Sequence, residues 1–95
     1  MPEMRFRIRW PDGTSETCYS PSLVIKDYFA EGASYPLADF LTRSRTSLAI
    51  ASERVRAKYG RPCSRAMAQL ARIESIATGF AGLPDERVTI DALEQ

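Results

Sequence analysis

The sequence predicts a small α+β fold, with an N-terminal β-hairpin and a C-terminal strand packed on an antiparallel pair of helices. Three observations support this prediction. Residues 4–10 alternate apolar and basic side chains, residues 37–80 show two stretches of helical periodicity, and residues 87–90 are β-prone. A lone hairpin is marginal in water, so the helices must cover its apolar face. With 95 residues and no repeat or linker-like tract, we expect one domain spanning residues 1–95.

The hairpin consists of residues 4–10, a turn at 11–13 and a return strand at 14–19. Its first strand turns Met, Phe, Ile and Trp toward the core and three arginines toward water. The turn sequence Pro-Asp-Gly supplies a fixed φ, a local side-chain acceptor and a residue that tolerates positive φ.

Two registers of this hairpin are open. A three-residue loop ending in a glycine bulge sets Phe6 opposite Cys18. A two-residue loop instead sets Arg7 opposite Glu16, an attractive charge pair. Turn chemistry favours the first register, because Pro-Asp is poor in a primed two-residue turn, and that register places Cys18 in the core.

Residues 20–36 connect the hairpin to the helices. Ser20, Pro21 and Ser22 end the second strand. Residues 23–25 form a short β-prone run, either a third strand or an extended segment that covers the core, and residues 26–33 are a polar connection.

The first long helix begins with Pro36 at its first helical position and ends at Gly60. Phe40 and Tyr59 flank its apolar stripe. The stripe consists of Leu37, Leu41, Ser44, Leu48, Ala51 and Val55.

The second long helix follows Pro62, with Cys63 or Ser64 near its N-cap. Gly79 and Gly82 loosen and end it. Its predicted buried face consists of Ala66, Met67, Leu70, Ile73, Ala77 and Phe80. A turn at residues 84–86 then leads to the last strand and a short tail.

Composition and charge exclude several classes of function. No apolar run approaches the roughly 20 residues of a membrane span, and the N-terminus has no apolar signal core, so we expect a cytoplasmic protein. The net charge is +1, although residues 43–72 carry +7. Helical projection places these cations on both flanks of the apolar stripe rather than on one ridge, which disfavours nucleic acid as the partner.

Catalytic and metal chemistry has little support in the residue types. The chain has no histidine, which excludes Ser-His-Asp triads and histidine-ligated metals. Cys18 and Cys63 alone cannot complete a metal site in a monomer, and a four-thiolate site across a dimer is disfavoured because Cys18 faces the core. No glycine-rich phosphate loop is present, so no metal or cofactor is expected. The acidic pairs are interpreted as solvated surface: Asp85 with Glu86 in the turn, and Asp91 with Glu94 in the tail.

Cys63 is the sharpest chemical candidate. A thiol at a helix N-terminus beside Arg65 experiences a positive potential that favours the thiolate. The competing interpretation, which we favour, is a small apolar residue packed under the helix turn, because no base accompanies the thiol.

Four islands of sequence carry a family resemblance: RWPDG at 9–13, CYSPS at 18–22, ASERVRAKYG at 51–60 and CSRA at 63–66. Together they resemble a family of small bacterial nitrogen-starvation response proteins encoded in nitrilase-containing gene clusters. The resemblance implies a role in scavenging nitrogen from nitriles or cyanide, beside a nitrilase, a radical-SAM protein, an acetyltransferase-like protein and a flavoprotein. The family has no assigned catalytic residues, so none is carried over to this chain.

We therefore expect a non-enzymatic accessory or binding module with protein partners from the same pathway. Its candidate contact surface consists of Arg43, Ile50, Arg54, Lys58, Tyr59, Arg61 and Arg65. Ile50 projects opposite the core stripe, which favours a partner contact or a homodimer through this helix. Two alternatives are a Cys63-dependent enzyme, carrier or substrate of a radical enzyme, and a nucleic-acid-binding regulator.

Overall fold

Four antiparallel strands and three helices make up the fold of the computed structural model, which describes residues 3–80 and 86–95. In chain order the elements are β1 (Met4–Arg9), β2 (Ser15–Ser20), α1 (Ile25–Tyr28), β3 (Ser34–Pro36), α2 (Leu37–Tyr59), α3 (Ser64–Thr78) and β4 (Arg87–Glu94). The strand order in the sheet is β2-β1-β4-β3. The predicted α+β class is confirmed, including the hairpin and the C-terminal strand.

The hairpin adopts the register that turn chemistry favours. Phe6 pairs with Cys18, and the Trp10 N–H donates to the Thr14 carbonyl over 2.8 Å. Gly13 takes a positive φ of 90°, which a residue without a Cβ adopts at little cost. Glu16 consequently lies opposite Ile8 instead of Arg7, at a position facing the core side of the sheet.

Residues 23–25 are neither a strand nor an extended segment. Val24 has helical backbone angles, φ −56° and ψ −23°, and α1 starts at the next residue. The Ser22 hydroxyl accepts the Val24 N–H over 3.3 Å, a local bond that turns the chain away from an extended path. The segment nevertheless covers the core, as expected, because Val24 and Ile25 are both buried.

Strand β3 is absent from the sequence prediction and displaces the expected start of the long helix. Pro36 is the last residue of β3 and the N-cap of α2, so it does not occupy the first helical position. Its φ of −54° suits either role, but pairing with Arg87 in β4 holds its ψ at 146°. The Leu37 N–H then donates to the Glu86 carbonyl over 3.0 Å.

The two long helices form the predicted antiparallel pair. α2 ends where predicted, because Gly60 adopts the left-handed conformation at φ 86°. Cys63 is the N-cap of α3. The short linker reverses the chain, and Arg45 near the start of α2 reaches Glu74 near the end of α3 over 3.3 Å. No helix among the described residues has the length and apolar character needed to cross a membrane.

The core lies between the sheet and the helices, and most of the predicted core positions are buried. Leu37, Leu41 and Val55 are half-buried. Met67 is exposed, at 47%, because it follows Ala66 by one position and so rotates about 100° off the buried stripe. Phe80 is half-buried and stacks on Trp10, with ring centroids 6.0 Å apart.

The C-terminal part differs from its prediction in one respect. Asp91 and Glu94 lie within β4 rather than in a tail, and Asp91 pairs with Arg9 over 3.1 Å. Gly82, Pro84 and Asp85, predicted to end α3 and form a turn, lie outside the described residues.

Candidate functional site

The candidate contact surface divides into residues that brace the fold and residues that face solvent. Arg43 belongs to the first group. Its Nε lies 3.0 Å from Asp39, its Nη1 donates to the Tyr28 carbonyl over 2.7 Å, and its guanidinium lies 4.9 Å from the centre of the Tyr35 ring. These contacts tie α2 to α1 and β3.

Arg54 is also engaged with the fold. Its Nη1 donates over 2.9 Å to the hydroxyl of Ser22, which is buried. Ser22 in turn lies in the segment between β2 and α1, so Arg54 holds that segment against α2. Ile50 is half-buried, and the side of α2 at this position is therefore only partly open to solvent.

The remaining cations of the predicted surface lie where α2 passes into α3. Lys58, Arg61 and Arg65 are all exposed, and the stretch from residue 54 to 72 contains six cations and no acid. Two large apolar side chains share this end of the helix pair, Tyr59 at 59% exposure and Met67 at 47%. We call Lys58, Tyr59, Arg61, Arg65 and Met67 the α2–α3 corner.

The remaining cations of α2 and α3 are paired with acids. Arg45 binds Glu74, and Arg56 binds Glu53 through two side-chain hydrogen bonds. The bonds from Arg56 hold the pKa of Glu53 below its usual value. The electropositive surface of the helices is therefore concentrated at the corner.

Cys63 lies at the base of this corner. Its thiol is free and half-buried, its side chain packs against the core, and it makes no side-chain capping bond to α3. Cys18 is also a free thiol but is buried. Burial raises the pKa of the Cys18 thiol to about 12; Glu16 adds to this rise and Arg72 opposes it.

Alkylation should distinguish the two thiols. With iodoacetamide at pH 7.5, we expect Cys63 to be labelled in the folded protein and Cys18 only after unfolding, because Cys18 is both buried and protonated. Peptide mass spectrometry against a guanidinium-denatured control gives both rates. Equal labelling of the two thiols in the folded protein would contradict the burial of Cys18. If Cys63 labels no faster than in the denatured control, its interpretation as an activated thiol fails.

A second surface, which the sequence prediction did not include, lies along β2 and α3. The Trp10 Nε1–H donates to Glu16 over 3.0 Å, and the Arg72 Nε–H donates to the other oxygen of the same carboxylate. Beside this cluster is a cavity of about 160 Å³. It is lined by Trp10, Asp12, Thr14, Ser15, Glu16, Arg72, Ile76 and Phe80.

The adjoining part of the same surface is built on Tyr19 and Gln69. The Gln69 Oε1 accepts the Tyr19 N–H over 2.9 Å, and the Arg65 guanidinium lies 3.8 Å from the centre of the Tyr19 ring. Burial raises the pKa of Tyr19; Arg65 opposes this rise, and Cys63 and Glu3 add to it. The ring therefore stays neutral at neutral pH, as a cation–π partner requires.

One sequence signal could have indicated part of this surface. Glu16 and Cys18 are two residues apart on the same strand, so in the favoured register both side chains point to the core-facing side of the sheet. An acid at such a position needs a partner, since an unpaired buried carboxylate is unfavourable. Gln69 and Arg72 gave no comparable signal. Among residues 3–80 and 86–95, no group of three or more acidic or thiol side chains could hold a metal ion.

The family model for the nitrogen starvation-induced protein NitG matches residues 5–93 of the chain. The chain belongs to the NitG family. This match confirms the resemblance drawn from the four sequence islands and extends from β1 into β4. No curated protein and no solved structure matches the chain. Induction by nitrogen starvation is thus the physiological setting of the NitG family, and the nitrilase gene cluster stays a prediction.

Proposed function

We propose that this chain is a non-enzymatic binding module of the nitrogen-starvation response, acting in the cytoplasm on a protein partner of a nitrile-scavenging pathway. The α2–α3 corner is the proposed docking surface. The observation that supports it is the co-location of Tyr59 and Met67, the most exposed large apolar side chains among the described residues, with three exposed cations.

The chemistry of the corner favours one kind of partner. Protein interfaces combine an apolar centre with a polar rim, and exposed aromatic, methionine and arginine side chains are enriched in them. The corner has no acid of its own within residues 54–72, so its complement is an acidic surface with a small apolar depression. Nucleic acid would not need the apolar pair, and the engagement of Arg43 and Arg54 within the fold reduces the basic area available to it.

A photo-crosslinking amino acid at position 67 should identify the partner in nitrogen-starved cells. The captured protein, once purified, should bind the chain with an affinity that falls as salt rises, because exposed charge pairs are screened. The double variant Lys58→Glu/Arg61→Glu should raise Kd at least tenfold. The matched control is Arg5→Glu/Arg7→Glu, which makes the same change of charge on the exposed face of β1 and should leave Kd within twofold.

Several results would contradict the proposal. Equal effects of the two double variants would show a non-specific charge effect instead of docking at the corner. A crosslink to a second copy of the chain would identify a homodimer interface. Binding of nucleic acid at low salt that is lost in the corner variant would support the regulator alternative. Loss of growth on a nitrile with Cys63→Ala, but not with the corner variant, would favour the thiol-dependent alternative.

A further inference from the structure

A shallow groove runs between the edge of β2 and the side of α3. It has a volume of about 310 Å³ and is lined by Tyr19, Arg65, Ala68, Gln69 and Arg72. The three long polar side chains come from α3 at positions i, i+4 and i+7, which share one face of a helix. Their hydrogen-bonding groups therefore converge on the same strip of surface.

Gln69 contributes a donor that the described residues leave without an acceptor. Its Oε1 accepts the Tyr19 N–H, and this bond fixes which end of the amide is oxygen, since only the oxygen can accept. Its Nε2 is buried and has no hydrogen-bond partner among the described residues. A buried amide donor without an acceptor is unfavourable, and a ligand oxygen that reaches Nε2 when the side chains over it move aside removes that penalty.

Arg72 also has hydrogen-bond donors at this groove that are not engaged with the described residues. Its Nε is bound to Glu16, and the other oxygen of Glu16 is bound to Trp10. The terminal NH₂ groups of Arg72 have no acceptor among the described residues. Glu16 repels an incoming anion little, because its charge is already compensated by Arg72.

Arg65 is held in place by packing rather than by an acid. Its guanidinium lies over the Tyr19 ring, and no carboxylate of the described residues pairs with it. The N–H groups of a guanidinium lie in its plane, so a contact through its face leaves them available at the edge. Two guanidinium groups and one amide thus line the groove, and none of the five lining residues is acidic.

We propose that this groove binds a carboxylate or phosphate group of a small anionic ligand, with Arg65 supplying uncompensated positive charge and the terminal NH₂ groups of Arg72 and Gln69 Nε2 supplying hydrogen-bond donors. Planar guanidinium forks match both oxyanions, and charge-assisted hydrogen bonds of this kind are the stronger class. The groove shares Arg65 with the α2–α3 corner but requires neither Lys58 nor Arg61.

The test is a ¹H–¹⁵N NMR titration of the whole chain with sodium phosphate, sodium acetate and, at matched ionic strength, sodium chloride. We expect saturable shifts of the Gln69 side-chain NH₂ signals with phosphate or acetate and none with chloride. The oxyanion with the lower Kd identifies the ligand chemistry. Shifts that are linear with concentration, or equal in chloride, would overturn the proposal.

Gln69→Glu is the decisive variant, because it keeps an oxygen for the Tyr19 N–H but replaces the donor by a carboxylate oxygen. It should weaken anion binding at least tenfold, as followed by the Tyr19 and Ala68 backbone signals. Arg65→Gln should also weaken binding and provides a second test if Gln69→Glu does not fold. The matched control is Arg61→Gln, which removes one positive charge outside the groove and should leave Kd within twofold.

These outcomes separate the groove from the corner. Lys58→Glu/Arg61→Glu should weaken partner binding while the Gln69 side-chain signals still saturate with the anion. Gln69→Glu should do the opposite. If Gln69→Glu leaves anion binding unchanged, the groove proposal fails whatever the corner does.

Discussion

Replacing Phe40 with alanine is expected to destabilise the protein by about 3–5 kcal/mol, the range for a large aromatic removed from a packed core. Phe40 is 0% exposed and contacts aromatic rings on two sides. Its centroid lies 5.6 Å from Trp10 in an edge-on contact and 5.5 Å from Phe29. The substitution therefore leaves a cavity where α2, the hairpin and the segment after α1 meet.

The effect is large because a domain of this size has a small free energy of unfolding, on the order of 5–15 kcal/mol. Urea unfolding followed by circular dichroism and by the fluorescence of the single tryptophan measures the loss. Met67→Ala is the control, an apolar truncation in the other long helix at an exposed site, and should change stability by less than about 1 kcal/mol. A loss below about 1 kcal/mol for Phe40→Ala would contradict its place in the core.

The parts of the fold that the sequence predicts are those with local causes. The alternation in β1 and the left-handed stop at Gly60 each depend on residues within a few positions of one another. These signals are sufficient for the hairpin, the end of α2 at Gly60 and the α+β class. They also place Cys18 in the core, because the chemistry of the turn determines the register.

The elements missed are those whose stability comes from distant residues. β3 has three residues, too few to show a period, and exists because Ser34 to Pro36 pair with β4 more than 50 positions away. The β-branched pair Val24 and Ile25 suggests a strand, but both side chains are buried in the core and Arg54 of α2 holds the preceding Ser22, which favours a helical turn. Intrinsic propensity is a weak term at both places and tertiary contacts override it.

The candidate site shows the same division. Cation density and the Gly-Pro linker indicated the α2–α3 corner, because both are properties of one continuous stretch. The groove was missed because Tyr19 and Gln69 are 50 positions apart, and Glu16 and Arg72 are 56 apart. The sequence also does not show that Arg43 and Arg54 brace the fold while Lys58 and Arg61 face solvent. All four are cations on α2 or on the linker that follows it, so the sequence pattern does not distinguish them.

Glu16→Ala should have the second largest effect, a loss of about 1–3 kcal/mol, because it leaves the Trp10 Nε1–H without an acceptor. Trp10 is only 3% exposed, and the Glu16 side chain only 14%. The Arg72 side chain is 64% exposed, so its ion pair with Glu16 is partly solvated and contributes less, about 0–1 kcal/mol. The hydrogen bond to the indole, rather than the charge pair, carries most of the expected loss.

Glu16→Gln tests this assignment, because it keeps an oxygen for the Trp10 N–H and removes the charge. Urea unfolding should place Glu16→Gln within about 1 kcal/mol of the parent chain and Glu16→Ala well below it. A double-mutant cycle with Arg72→Ala should then give a coupling of about 0.2–1 kcal/mol. If Glu16→Gln is as destabilising as Glu16→Ala and the coupling exceeds about 2 kcal/mol, the ion pair is the main contribution. Glu16 would then be chiefly the electrostatic partner of Arg72, and freeing Arg72 by Glu16→Gln should tighten anion binding in the adjoining groove.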